Sequence, residues 1–326
     1  MRIQRATVPK DFDTQLIKLI ADNCKRYAME EIIKVEPKLH FVRFSGPFSY
    51  SRLKEKIGEM KTNNQPPRIM PNYQKEAHIR LKGGYLTVFY NPKEPFLPAC
   101  MIQTAASRKD FLTQLDQLLL GLKLSMVEYA VDIYCRDFIG AKLLFWALRR
   151  YAYVPYAGRS MLYGGQEVDG SRMSLVCRMG AVKFYERGED KNKIGIPGTD
   201  KKGWLDKKVN RIRLEYTAEG YVLKQNRLNT LQDLIRAPRF RTIFSGKIKF
   251  KKFRDTAGRF PRYWEDYLAK DLEGNSGTFH DEYVKMYKAD ANLSQYLEGD
   301  DTLIELEDMI QARISQFDLD WPNQTG

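Results

Sequence analysis

The feature of the sequence that most constrains the fold is a strand followed almost at once by a helix. In Ser125–Cys135, hydrophobic side chains alternate with others, which is typical of a β-strand that turns one face to a core. Hydrophobic residues in Phe138–Tyr151 recur at the spacing of an amphipathic helix. These two elements predict a fold in which helices pack on a sheet.

The rest of the chain repeats this mixture. Lys82-Gly83-Gly84 lies between two alternating runs and predicts a β-hairpin. The order of elements favours an α+β fold, an antiparallel sheet with helices packed on it. The other predicted helices are Asp11–Lys34, Tyr50–Lys61, Lys109–Lys123 and Tyr221–Ile235; the other strands are Leu39–Phe44, Ala77–Leu81, Tyr85–Tyr90, Ala99–Thr104, Ser160–Tyr163, Ser174–Arg178, Ala181–Arg187 and Val209–Thr217; Asn63–Pro71 and Glu189–Lys202 are predicted loops.

The charge of the chain predicts a polyanionic partner. It has 54 Lys and Arg residues against 41 Asp and Glu residues, a formal net charge of +13. Such a field attracts nucleic acid, because each phosphate that a cation neutralises releases condensed counterions. Phe240–Arg262 interleaves cations with phenylalanines that can stack on bases, although a solvated basic loop fits the same pattern. The cations predicted to contact nucleic acid are Arg211, Arg213, Arg241, Lys247, Lys249, Lys251, Lys252 and Arg254.

Cysteines and apolar segments indicate the compartment. The four cysteines are widely spaced within apolar runs and form no CxxC pair, which favours reduced core thiols over a zinc ribbon or a disulfide scaffold. The first residues lack the apolar region of a signal peptide. The longest apolar runs are too short to span a bilayer. We therefore expect a soluble cytoplasmic protein without a membrane partner.

Acidic side chains form the first candidate site. Glu128 and Asp132 share one face of the central predicted strand, with Ala130 between them. Two carboxylates in that position repel each other unless a cation lies beside them, and a divalent metal or an Arg or Lys side chain can fill that role. Glu215 shares a strand face with Arg213 and is either a third ligand or one half of a cross-strand ion pair.

Tyr185 is the candidate nucleophile. Lys183, Tyr185 and Arg187 line one face of a predicted strand. Two flanking cations favour the phenolate and can contact a phosphate, so that such a tyrosine could attack a phosphodiester. A structural tyrosine is the alternative. Tyr85, Tyr134 and Tyr163 are other candidates for the nucleophile.

Taken in order, these motifs resemble the rolling-circle replication initiators of the trans-acting Rep family of plasmids and, more loosely, the filamentous-phage nickase. Met126, Glu128 and Arg187 stand where that family usually has Arg, Asp and Lys. The resemblance spans roughly residues 70–235. Its motifs are Val127-Glu128-Tyr129-Ala130-Val131-Asp132, Leu162-Tyr163-Gly164-Gly165, Phe184-Tyr185-Glu186-Arg187 and Arg213-Leu214-Glu215, preceded by the apolar Leu97-Pro98-Ala99-Cys100-Met101-Ile102.

The resemblance implies a duplicated nickase-like core and a mechanism. Glu128, Asp132 and Glu215 would hold Mg²⁺ or Mn²⁺ at the scissile phosphate. Tyr185 would attack, giving a 5′-phosphotyrosyl enzyme and a free 3′-OH that primes replication. Lys183 and Arg187 would stabilise the developing charge.

The same resemblance sets the expected organisation and partners. We predict an N-terminal extension at residues 1–70, a catalytic core at 71–235, and a basic segment with a helical region at 236–326. The expected partner is a DNA origin with a single-stranded or hairpin nick site. A host helicase and a second copy of the chain are further candidate partners.

Several rival functions fit parts of the pattern. A DNA-binding regulator without catalysis needs the basic segment alone, and a metal-dependent nuclease that activates water needs the carboxylates but not Tyr185. An RNA-binding module is disfavoured because Tyr129 and Phe184 fall on faces assigned to the core. The chain has three histidines, without a His-hydrophobic-His pair, which disfavours the other rolling-circle class and a His/Cys zinc enzyme.

Overall fold

A computed structural model gives the fold of most of the chain. It describes residues 25–323 except 64, 68, 106–107, 156, 158–160, 164–166, 169–170, 173–174, 189–192, 196–201, 205–208, 254–296 and 300. The described part of the chain begins with a helical segment at residues 25–30. The strands are β1 Ile32–Ser45, β2 Lys61–Asn63, β3 Tyr73–Leu81, β4 Gly84–Pro92, β5 Cys100–Thr104, β6 Lys123–Cys135, β7 Ala152–Tyr153, β8 Met161–Tyr163, β9 Glu167–Val168, β10 Ser171–Arg172, β11 Val176–Met179, β12 Val182–Gly188, β13 Lys193–Gly195, β14 Lys202–Trp204, β15 Val209–Glu219, β16 Lys249–Phe253 and β17 Leu297–Gly299.

Besides the helical segment at residues 25–30, seven helices in the described part of the chain accompany these strands. They are α1 Tyr50–Ile57, α2 Lys109–Leu119, α3 Phe138–Tyr151, α4 Gly220–Gln225, α5 Leu231–Arg236, α6 Phe240–Phe244 and α7 Asp301–Asp320, and α7 leads into a 3₁₀ turn at Trp321–Asn323.

The predicted α+β class is confirmed, since the chain forms a large antiparallel sheet with helices. Two compact units can be distinguished. Unit 1 comprises Met1–Glu36, Val131–Glu215 and Gly246–Ile310, and unit 2 comprises Pro37–Ala130, Tyr216–Ser245 and Gln311–Gly326. Strands β1, β6 and β15 contribute residues to both units. Each unit contains sheet and helix, and the predicted boundaries at residues 70 and 235 stay a prediction.

In unit 2 the sheet order is β2-β3-β4-β5-β1-β6-β15. The β3–β4 hairpin is the one predicted from Lys82-Gly83-Gly84, and its register pairs Leu81 with Gly84. Gly83 has a φ of +96°, a conformation that glycine adopts without a steric penalty. A Cβ atom at Gly84 would lie 2.3 Å from the Phe111 ring of α2. Glycine is therefore needed at both positions, for the turn and for the close approach of α2.

Aromatic residues of the basic segment Phe240–Arg262 are part of the core of unit 2. Tyr129 donates a hydrogen bond from its hydroxyl to the carbonyl of Pro238 at 2.6 Å, and its ring packs against Phe240. Phe240 and Phe244 are buried. In unit 1, Phe250 is buried as well. The expectation that phenylalanines of this segment are free to stack on bases is therefore wrong for these three, because core packing buries them.

In unit 1 the sheet order is β6-β15-β12-β11-β8. Helix α3 begins at the residue predicted, because the Asp137 side chain accepts a hydrogen bond from the backbone N–H of Gly140. The ring of Phe145 on α3 packs against Phe184 on β12 at a centroid distance of 5.5 Å. Phe184 is therefore a core residue, as the alternation predicts, and the neighbouring Tyr185 points to the opposite face of the sheet.

Several element boundaries differ from the prediction. The chain is already extended from Ile32, so the helix predicted to reach Lys34 ends earlier; its predicted start lies outside the described residues. Helix α1 stops at Ile57 because Gly58 takes a φ of +91°. The single helix predicted over Tyr221–Ile235 is two helices, α4 and α5, and Thr230 starts the second with a capping box.

Three cysteines lie where the sequence predicts. Cys100, Cys135 and Cys177 are free and buried, and Cys24 is outside the described residues. Burial raises the pKa of Cys100 to about 11, so this thiol stays protonated at neutral pH. In the described residues, no helix is both long and apolar enough to cross a membrane.

Candidate active site

Tyr185 and Glu215 form the centre of a polar cluster in unit 1. The Tyr185 hydroxyl donates a hydrogen bond to Oε1 of Glu215 at 2.7 Å. Tyr185 lies on β12 and Glu215 on the neighbouring strand β15, and both side chains are buried. The two residues that the sequence assigned to different motifs therefore meet as a phenol and its hydrogen-bond acceptor.

Two cations of β12 flank this pair. The Lys183 ammonium lies 2.6 Å from Oε2 of Glu215, and Arg187 donates a long hydrogen bond of 3.4 Å to the Tyr185 hydroxyl. Strand alternation places both cations on the same face of β12 as Tyr185, as predicted. The Lys183 ammonium is closer to this carboxylate than to the Tyr185 ring, whose centre lies 6.0 Å away.

Arg213 joins the cluster to a second carboxylate. Its guanidinium holds both oxygens of Asp132, through Nε to Oδ1 and through Nη2 to Oδ2 at 2.8 Å. A third nitrogen, Nη1, lies 3.7 Å from Oε1 of Glu215. Arg213 is only 2% exposed. Burial opposes its charge, but the hydrogen bond and charge of Asp132, with Tyr185 and Glu215, raise the pKa of Arg213 overall.

The network continues from Asp132 to the edge of the cluster. Nη1 of Arg211 lies 3.4 Å from Asp132 and donates a 2.8 Å hydrogen bond to the hydroxyl of Tyr134. That hydroxyl donates in turn to Glu36 at 2.9 Å. Lys34 also pairs with Glu36. Cations and carboxylates thus alternate along the sheet face, which offsets part of the cost of burying them.

The structure changes the expected state of Tyr185. The sequence predicted that two flanking cations would favour the phenolate. Instead, burial and then the negative charge of Glu215 raise the pKa of Tyr185 above that of an ordinary tyrosine, although Arg213 and Arg187 act in the opposite direction. The hydroxyl is therefore protonated at neutral pH, and Glu215 is the group in place to take the proton.

Glu128 lies in unit 2, beside a residue that the sequence analysis did not select. Its Oε1 is 2.6 Å from Nδ1 of His40, and its Oε2 accepts a 3.4 Å hydrogen bond from Thr217. His40 and Glu128 are among the side chains whose ligand atoms could hold a metal ion. No local sequence pattern singles out His40, because its partner is a carboxylate 88 residues away.

The predicted nucleic-acid contacts are distributed over both units. Arg211 and Arg213 belong to the Asp132 network. Arg241 is exposed on α6, where the carboxylate of Asp318 accepts hydrogen bonds from the backbone N–H groups of Phe240 and Arg241. Lys247 and Lys249 are partly buried, Lys251 and Lys252 lie in β16, which pairs with β17, and Arg254 is outside the described residues.

Comparison with known proteins gives a weak structural similarity. No protein-family model matches the chain, and no curated protein shows significant sequence similarity to it. Among solved structures, the chain is similar to a rolling circle replication initiator protein from Geobacillus stearothermophilus, with a TM-score of 0.39 and 14% sequence identity. The similarity covers 74% of this chain and 98% of the other. A similarity this weak establishes neither a common family nor a common activity.

Proposed function

We propose that the protein is a DNA nickase that initiates rolling-circle replication, cutting one strand through a covalent bond between Tyr185 and a 5′-phosphate. The observation that carries this proposal is the hydrogen bond from the Tyr185 hydroxyl to Glu215, with Lys183, Arg187 and Arg213 around it. A nucleophile, a proton acceptor and cations suited to a phosphate are the groups that phosphodiester transfer requires.

The proposed reaction begins with proton transfer from Tyr185 to Glu215. The phenolate oxygen then attacks the phosphorus atom, and the bond to the 3′-oxygen breaks, which leaves a 5′-phosphotyrosine and a 3′ end. Lys183 is the cation that can give a proton to the leaving 3′-oxygen, because an arginine such as Arg187 does not release its proton in this pH range. Arg187 stabilises charge on the phenolate oxygen.

We also propose that a divalent metal ion takes part, with His40 and Glu128 among its ligands. The donor set fits such an ion, because an imidazole nitrogen and a carboxylate oxygen, both common metal ligands, lie close together. When bound, the ion would supply a Lewis acid for a phosphate oxygen of the DNA. The carboxylate of Glu128 is a ligand type that suits both Mg²⁺ and Mn²⁺. The sequence-based assignment of Glu128, Asp132 and Glu215 to one ion stays a prediction.

Asp132 has a different role in this proposal. Both of its oxygens are bonded to Arg213, and it is fully buried. A carboxylate engaged in this way would have to give up an arginine before it could bind a metal. We therefore propose that Asp132 positions Arg213, and that Arg213 in turn orients Glu215 toward Tyr185.

The test is a cleavage assay on single-stranded origin DNA with Mn²⁺, followed by a denaturing gel. Wild-type protein is expected to form a covalent adduct that Tyr185→Phe does not form. Tyr134→Phe is the matched control, because Tyr134 also lies on the polar face of unit 1 and its hydroxyl contacts a carboxylate and an arginine. The control is expected to keep the adduct.

The other outcomes separate the rival functions. Cleavage by Tyr185→Phe without an adduct would indicate a nuclease that activates water. Specific binding without cleavage by any form of the protein would indicate the non-catalytic DNA-binding regulator, with Tyr185 as a structural residue.

A further inference from the structure

A row of polar side chains crosses one face of the unit 2 sheet. The pairing registers place its members directly opposite one another on five neighbouring strands. Directly opposed residues share a face of the sheet. The next row, Ala77, Val88, Ile102 and Phe44, points the other way and is fully buried. The polar row consists of Lys61, His78, Thr87, Gln103 and Arg43.

His78 is held in place by its edge, which leaves the faces of its ring for stacking. Its Nδ1 lies 3.2 Å from the hydroxyl of Thr87, and its Nε2 lies 3.4 Å from the carboxylate of Glu76. The ring of Tyr85 stacks on it, with centroids 5.6 Å apart and planes inclined by 20°. Tyr85 is 48% exposed. The two rings therefore form a fixed aromatic platform that is open to solvent on the side of Tyr85.

Two cations lie beside this platform, and a third lies farther along the polar row. Arg80 lies directly opposite Tyr85 and Lys61 directly opposite His78, and both are exposed. Farther along the row, Arg43 donates two hydrogen bonds to the side-chain oxygen of Gln103, at 2.8 and 3.1 Å. Glu76, two residues before His78 on the same face of the strand, is an acidic residue beside the platform. Its carboxylate contacts His78 and accepts a hydrogen bond from Asn63. The charge near the platform thus complements a phosphate backbone.

We propose that this face of unit 2 binds single-stranded DNA, with a base stacked on the Tyr85–His78 platform and phosphates at Arg80 and Lys61. This inference extends the proposed nickase function by assigning a second DNA contact outside the Tyr185 cluster. An exposed ring on a sheet fits an unpaired base, since the bases of a duplex already stack on one another. Every base offers a π face, so the contact is expected to tolerate different sequences.

The test measures binding of a labelled thymidine oligomer to the full-length protein in EDTA, by fluorescence anisotropy. Tyr85→Ala is expected to weaken binding about 5- to 150-fold, the range for loss of one base–aromatic stack. Tyr85→Phe keeps the ring and is expected to bind like wild type. Tyr221→Ala is the matched control, because Tyr221 is a more exposed tyrosine of unit 2 on α4. It is expected to have no effect.

Salt dependence and crosslinking provide independent measurements. Arg80→Ala is expected to reduce the slope of log affinity against log salt by about 0.7, the value for one phosphate contact with a single strand. A bromodeoxyuridine oligomer crosslinked to wild-type protein is expected to label the tryptic peptide of residues 83–93, which contains Tyr85. Crosslinks confined to other peptides would overturn the inference even if Tyr85→Ala failed to fold.

Three other binding results would overturn the proposed DNA surface, and none of them depends on the nickase proposal. Unchanged binding by Tyr85→Ala, equal losses in Tyr85→Ala and Tyr221→Ala, or tighter binding of a uridine RNA oligomer would each overturn it. The adduct at Tyr185 is not needed for this assay. A protein that binds through Tyr85 but forms no adduct would retain this surface and overturn the nickase proposal alone.

Discussion

Both carboxylate oxygens of Asp132 are hydrogen-bonded to the guanidinium group of Arg213, and both side chains are buried. A paired arrangement of this kind has a fixed geometry, because the planar guanidinium matches the carboxylate. The same guanidinium lies 3.7 Å from Glu215, the acceptor of the Tyr185 hydroxyl. The pair therefore links the stability of unit 1 to the orientation of the candidate nucleophile.

Removing the charge of Asp132 should destabilise the fold. Asp132→Ala leaves Arg213 buried without its main partner, and breaking a buried pair in this way costs about 3–5 kcal/mol. Urea unfolding measures the change. Asp110→Ala is the control, since Asp110 makes a similar two-bond contact with Arg108 at the surface, where little change is expected. Equal effects of the two substitutions would contradict the role assigned to Asp132.

The raised pKa of Tyr185 predicts a loss of stability at alkaline pH. Below about pH 10, the ordinary pKa of tyrosine, Tyr185 is protonated in both the folded and the unfolded chain. Above it, the unfolded chain loses the proton first, so the free energy of unfolding falls by up to about 1.4 kcal/mol per pH unit until the folded pKa is passed. The stability of wild type relative to Tyr185→Phe is expected to fall with this slope.

Urea unfolding between neutral pH and pH 11 checks this expectation. Tyr221→Phe serves as the control for removing a tyrosine hydroxyl outside the Tyr185 cluster, because Tyr221 is 72% exposed and belongs to unit 2. Parallel curves for wild type and Tyr185→Phe would show that the fold does not hold Tyr185 in its protonated form.

His40 should contribute to metal binding. If His40 and Glu128 are ligands, His40→Ala is expected to weaken Mn²⁺ binding by roughly tenfold or more, since even the outer partners of metal ligands contribute that much. Isothermal titration calorimetry gives the affinity. His78→Ala is the control, because His78 lies in the same unit and contacts Thr87 and Glu76 instead. Unaltered Mn²⁺ affinity in His40→Ala would exclude His40 as a ligand.

The β3–β4 hairpin should not accept a side chain at Gly84. An added Cβ would lie 2.3 Å from the Phe111 ring, which is 2% exposed and has little room to move. Gly84→Ala is therefore expected to destabilise the fold by about 1–3 kcal/mol. The same substitution in a Phe111→Leu background should cost less, because the ring is gone. Equal costs in the two backgrounds, measured by urea unfolding, would show that Phe111 is not the obstacle.

Local pattern was enough to predict the elements that carry the candidate site. The alternation around Glu128 and Asp132 predicted β6, and it also predicted that Tyr129 turns into the core, where the structure finds it. The face shared by Lys183, Tyr185 and Arg187 follows from strand geometry as well. These predictions succeed because alternation along a strand is set by the backbone.

Contacts between distant strands could not be predicted in the same way. The sequence does not indicate which cation lies beside Asp132, because the contact with Arg213 joins residues 81 positions apart in the chain. The pairing of His40 with Glu128 depends on the register of remote segments. The protonated state of Tyr185 depends on burial, which flanking residues alone do not determine.

The proposed nickase mechanism is tested by locating the residue that carries the DNA after cleavage. Protein trapped with origin DNA and Mn²⁺ would be digested with nuclease and trypsin, and the modified peptide identified by mass spectrometry. We expect a nucleotide phosphate on Tyr185, in the peptide Phe184-Tyr185-Glu186-Arg187. A modification on the peptide that contains Tyr134 or Tyr163, or cleaved DNA without a modified tyrosine, would contradict it.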